Sequence, residues 1–152
     1  MAKRAVFLIF VIAAFGAPVL MAQSNEVMDA VLGEATLSYG NAAYLVGTAS
    51  GHLAETVTPA DAGPQLEQQG LGRPGLKPTD PVTLGEFSYM LTRAFRISGS
   101  ILYAILPGPR YATRELVFLG VITGPAMPGM AVSGDRALRI IEQIIHREGA
   151  AR

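Results

Sequence analysis

The chain has 152 residues, half of them apolar and 16% charged, with twelve Lys and Arg balancing twelve Asp and Glu. That length suits one domain able to bury its own core. The absence of Cys excludes disulfides, thiol nucleophiles, Cys-ligated metals and a lipid-modified N-terminal Cys. Two His, His52 and His146, offer little to a His-based metal site, and the sparse, balanced charge argues against disorder and against a nucleic-acid partner.

The chain opens with a short basic start, Met1-Ala2-Lys3-Arg4, followed by the uncharged apolar run Ala5 to Phe15. Gly16 and Pro18 interrupt it, and Leu20-Met21-Ala22 ends in a small residue. This is the layout of a secretory signal peptide over residues 1–22, cleaved after Ala22. The alternative is an uncleaved anchor, for which the 18 residues from Ala5 to Ala22 are at the lower limit of a span. Either way the chain is expected to be exported, to the periplasm or the cell envelope, and membrane-bound only if the leader is retained.

Beyond the leader the charge is split. Residues 23–69 hold six acids and no Lys or Arg, whereas residues 70–152 hold ten basic residues against six acids. The split suggests either a basic face for an anionic partner or ordinary solvated helix faces.

An internal repeat at an offset of fifty positions organises residues 23–152. Leu66 to Gly70 matches Leu116 to Gly120, and the same offset maps Pro78 on Pro128, Val82 on Val132 and Thr83 on Ser133. Each unit reads as a helix, a glycine stop, a Pro-containing loop and a capped helix. Residues 23–57 are read as N-terminal helices, Glu26 to Leu37 and Asn41 to Ala49. Residues 58–97 form the first repeat, 98–109 an apolar Gly/Pro connector with a short helix and a turn, and 110–147 the second repeat.

Three helix starts share one pattern. Thr83 and Glu86 form a capping box, with Val82 and Phe87 as its staple. Ser133 repeats the cap, with Asp135 in the first turn, and Thr58 makes a third start with Pro59 behind it. All three follow a Val. The residues after Thr83 and Ser133 recur at three- and four-residue steps, as amphipathic helices require. The expected fold is therefore all-α, stacked antiparallel helical hairpins with little or no sheet.

The stretch Lys77-Pro78-Thr79-Asp80-Pro81-Val82-Thr83-Leu84-Gly85-Glu86-Phe87, continuing to Leu91-Thr92-Arg93-Ala94-Phe95, resembles the second half of an S-layer homology (SLH) repeat. Gln65 to Leu71 resembles the end of that family's first helix, and residues 110–147 a more diverged copy. The resemblance implies a non-covalent attachment of exported proteins to cell-wall glycan. The sequence departs from the family pattern at Thr83-Leu84-Gly85-Glu86, where the family has Thr-Arg-Ala-Glu, so the arginine associated with glycan contact is missing. In the second copy a charge stands at Arg136 instead.

No Ser/His/acid constellation is legible, so an enzyme is not expected, and no catalytic, metal or cofactor-binding residue is assigned. The strongest ligand-binding candidates are Arg93, Arg96, Arg110 and Arg114, with Tyr103 and Tyr111 between them. Guanidinium forks suit carboxylate and phosphate, and tyrosine rings suit sugar faces. The four Arg could converge where the repeats meet; alternatively Arg114 and Glu115 pair with the acidic N-terminal region. The apolar Ile101 to Leu106 segment is read as core, or as a patch docking a partner or a membrane. The functional expectation is an exported, non-enzymatic envelope module, binding or structural, whose partner is an anionic wall glycan or another envelope protein. The alternatives are a subunit of an envelope complex docking through residues 101–106, and an envelope enzyme or accessory subunit with a site between the repeats.

Overall fold

The computed structural model describes residues 25–150, so the expected leader lies outside the described residues. Among the described residues seven helices follow in order: α1 over residues 25–33, α2 Tyr39–Ala49, α3 Pro59–Gln68, α4 Leu84–Ala94, α5 Ile101–Ile105, α6 Pro109–Phe118 and α7 Gly134–Ala150. Among them there is no strand, only two isolated bridges, Ser38 with Pro81 and Thr83 with Ala131. The fold is all-α. Among the described residues no helix is long and apolar enough to cross a membrane.

The element boundaries keep the fifty-residue offset. Pro59 and Pro109 open α3 and α6; Leu84 and Gly134 open α4 and α7. Gly70 and Gly120, just past α3 and α6, adopt φ of 71° and 72°. The caps follow sequence chemistry. Thr83 Oγ1 accepts the Glu86 N–H at 3.2 Å, and Glu86 Oε2 accepts the Thr83 N–H at 2.9 Å. Thr58 and Ser133 each accept one first-turn N–H, from Asp61 and Arg136.

Helices α2, α4 and α7 begin at a common pole, tied there by backbone. Tyr39 and Gly40, opening α2, donate to Asp80 O and Pro78 O in the loop before α4. Leu84 and Gly85, opening α4, donate to Met130 O and Pro128 O in the loop before α7. Gly134, opening α7, donates to Glu34 O in the turn before α2. Each helix thus hands orphan first-turn N–H groups to the next unit's loop, and the third returns to the first. Leu37 closes the centre: its N–H donates to Val132 O, and its carbonyl accepts from Val82.

Two expectations need correcting here. The first predicted helix, Glu26 to Leu37, ends at residue 33, because Leu37 is needed in this ring and Glu34 turns back to accept from Ser38 N and Asn41 Nδ2. Ser38, rather than Thr58, occupies the place that Thr83 and Ser133 hold in their units. Thr58 instead caps α3, where the offset pairs it with Gly108 ahead of α6.

The second correction concerns direction. A Cβ on Gly40 would lie 2.7 Å from Pro59 O, so α2 and α3 start side by side, while Gln69 donates to His52 O where both end. A Cβ on Gly85 would lie 3.1 Å from Pro109 Cβ, and Phe95 and Leu119 line one pocket, so α4 and α6 also start together and end together. Segments 50–58, 69–83 and 119–133 carry the chain back between poles, in place of the antiparallel hairpins expected.

The core lies along the inner faces of these helices. Val31, Tyr39, Val46, Leu66, Val82, Phe87, Met90, Leu91, Leu116, Val132 and Ile144 are buried within it. The fully buried Tyr39 phenol is bonded on both sides: it donates to Glu67 Oε1 at 3.0 Å and accepts the Arg73 N–H at 2.8 Å. Burial pushes that phenol up to about 12, against the opposing effect of the Arg73 N–H.

Candidate functional site

At the opposite pole, where α2, α4 and α7 finish, four helices, α2, α3, α4 and α6, end in one kind of termination. After α2, α3 and α6 a glycine takes the left-handed position, Gly51, Gly70 and Gly120 at φ of 74°, 71° and 72°. Each glycine N–H bonds back three residues and the next N–H bonds back five, the paired pattern of a Schellman motif. Helix α4 ends identically, Arg96 N to Arg93 O at 3.2 Å and Ile97 N to Thr92 O at 2.9 Å. Here the left-handed residue is Arg96, at φ of 49°, the one non-glycine with positive φ among the described residues. A side chain in that conformation costs about 1–2 kcal/mol relative to glycine.

The Arg96 side chain faces two adjoining pockets. One, of about 560 Å³, is lined by Thr48, Ser50 and His52 from the end of α2, Phe95 and Arg96 from the end of α4, and Glu148 from α7. The other, of about 220 Å³, shares Phe95, Arg96 and Glu148 and adds Ile97, Leu119 and Arg147. They cross the seams between all three helix-pair units. Two of the lining side chains are fixed by helix-end carbonyls: His52 Nε2–H donates to Ala94 O at 3.2 Å, and Arg147 Nη1 donates to Leu119 O at 2.9 Å. Arg96 has no such partner among the described residues, so its donors are open to a ligand. A half-buried aromatic ring, a free guanidinium and a carboxylate at one seam can stack on and hydrogen-bond a hydroxylated or anionic ligand.

The six sequence-predicted ligand residues do not form one site. Arg93 donates to Tyr89 Oη at 3.1 Å and lies over that ring, 5.5 Å from its centre. Tyr103 shares a 2.7 Å hydrogen bond with Thr92, and burial raises its phenol. Tyr111 and Arg114 line a small pocket with Ser100, Glu115 and Phe118, which Arg96 does not line. Arg110 is exposed at the start of α6. The expected convergence of four guanidinium groups is therefore not what the fold builds, because the parallel run of α4 and α6 puts Arg96 and Arg110 at opposite poles. The alternative pairing of Arg114 with the acidic N-terminal region is not seen either. Among the described residues the ion pairs are Arg73–Glu86 and Arg139–Asp135.

Arg136, the charge that stands nearest to the resemblance's missing arginine, is folded onto its own loop. It donates to Thr123 O and Pro125 O and reaches Met130 Sδ. Its equivalents do the same work with other chemistry: Glu86 holds Arg73, and Asn41 holds Glu34. These third positions brace loops.

Sequence reasoning set His52 aside as structural or exposed and did not single out Phe95 or Glu148 as site residues. One signal for the site was present, since α4 is the helix whose stop carries Phe95-Arg96-Ile97 where three others carry glycine. Among the described residues no group of three or more metal-ligating side chains is close enough to hold an ion. No family model, curated protein or solved structure matches the chain.

Proposed function

We propose that the chain is a non-enzymatic binding module of the cell envelope, and that it holds wall glycan in the paired pockets at the finishing pole. The observation that carries this reading is Arg96, kept in a left-handed conformation where glycine would relieve strain. Strain of that kind persists where a side chain is needed for something other than folding. Its chemical surroundings fit a sugar polymer: Phe95 offers a ring face, Arg96 a bidentate donor, and Glu148, Ser50 and Thr48 complementary polar groups. The SLH-like stretch over residues 77–95, which ends at the mouth of these pockets, and the secretory layout of residues 1–22 support the same setting.

The test is retention of the purified protein on isolated cell-wall material. Wild type is expected to sediment with the wall and to be released by soluble wall fragments. Arg96→Gly is expected to remain in the supernatant while melting at a higher temperature than wild type. Equal retention of both forms would overturn the assignment.

A further inference from the structure

Helices α5 and α6 present an apolar surface to solvent. Phe118 is 83% exposed, Ile105 67%, Leu106 53% and Val117 41%. Ser100, at the foot of α5, lines one pocket with Tyr111, Arg114 and Phe118, so α5 begins beside the end of α6, and Ile105 and Leu106 lead back to the start of α6 at Pro109. On α6 itself the spacing of 110, 114, 117 and 118 puts Arg110, Arg114, Val117 and Phe118 on one helical stripe. The face is apolar and cationic together.

The chain segment that carries it is poor in acids. From residue 87 to residue 134 the chain carries Arg93, Arg96, Arg110 and Arg114 but a single acid, Glu115, and Glu115 is buried. We propose that this face docks on the surface of an anionic phospholipid bilayer. Phe118, Leu106 and Ile105 enter the boundary between headgroups and acyl chains, while Arg110 and Arg114 meet lipid phosphates. A protein groove would satisfy the apolar side chains as well, but it would not call for Arg110 and Arg114 on the same stripe as Val117 and Phe118, in a segment of nearly fifty residues without an exposed acid. A bilayer bearing negative charge does. None of the docking residues lines the pockets at the finishing pole, although Leu119, which follows Phe118, lines the smaller of them.

The chain has no Trp, so Phe118→Trp introduces a single reporter on the face, and Met127→Trp a control on the exposed loop before α7. Full-length protein is titrated with vesicles of mixed phosphatidylcholine and phosphatidylglycerol, and with phosphatidylcholine alone. Emission from the Phe118→Trp variant is expected to move to shorter wavelength with the anionic vesicles only, and to return in high salt. Emission from the Met127→Trp variant is expected to stay unchanged throughout. Adding Arg110→Gln and Arg114→Gln to the Phe118→Trp variant is expected to lower partitioning about thirtyfold. The proposal is overturned by any of three results. Equal shifts in both reporter variants would mean attachment through another part of the chain. A shift in the Phe118→Trp variant that grows with protein concentration before any lipid is added would mean a second copy covers the face. Emission that is unmoved by anionic vesicles would leave a protein partner as the occupant.

Discussion

The two poles of the helix bundle are made from the same three helices and obey opposite rules. At the starting pole the first N–H groups of α2, α4 and α7 each donate to a carbonyl of a neighbouring loop, and glycines let the backbones approach. At the finishing pole the last carbonyls of α2 and α4 are closed locally by Schellman turns, and space remains between the helix ends. One pole is committed to holding units together. The other is free to carry side chains chosen for a ligand, and it is there that a residue is tolerated at a cost to the fold. Strain at Arg96 is informative because three neighbouring helix ends show the unstrained solution.

The contrast is broken most severely at Gly134. A Cβ there would strike Val31 O, a backbone atom that cannot be moved without opening the ring. Gly134→Val is expected to cost about 3 kcal/mol or more in denaturant unfolding. Gly129→Val, in the same loop region with nothing within 4 Å of its Cβ, is expected to stay within about 0.5 kcal/mol.

Next comes Tyr39. Tyr39→Phe removes the partner of both Glu67 and the Arg73 N–H in the interior and is expected to cost about 1–3 kcal/mol. The wild-type phenol also sets an alkaline limit. Its folded value lies above the unfolded 10.0, so its contribution is complete below about 10 and is lost as pH rises towards about 12. Unfolding followed over that window should show a steeper alkaline loss for wild type than for Tyr39→Phe. A smaller effect belongs to the caps: Thr83→Ala breaks the capping box and is expected to cost about 1 kcal/mol, read as a shift in denaturant midpoint.

The helices, their caps and the fifty-residue offset were legible because they rest on local rules: Pro at a helix start, Thr and Ser as caps, Gly at a stop. The direction of packing was not, because return segments such as 50–58 leave no periodic signature. Ser38 was missed as the third unit's start since its side chain makes no cap bond; the neighbouring loop's carbonyls supply what a capping oxygen would. For the site, Arg96 stood out in the sequence as a basic residue of interest but was grouped with partners the fold does not give it. Sequence proximity linked it to Arg110 and Tyr111, whereas the fold sets it beside His52, 44 positions earlier, and Glu148, 52 later.

The most direct test of the difference between the poles is the unfolding free energy of Arg96→Gly relative to wild type. The account requires the variant to be more stable, by about 1 kcal/mol, since glycine relieves the left-handed backbone while no described hydrogen bond is lost. A less stable Arg96→Gly protein would contradict it: the arginine would then be serving the fold, and its strained conformation would no longer point to a ligand.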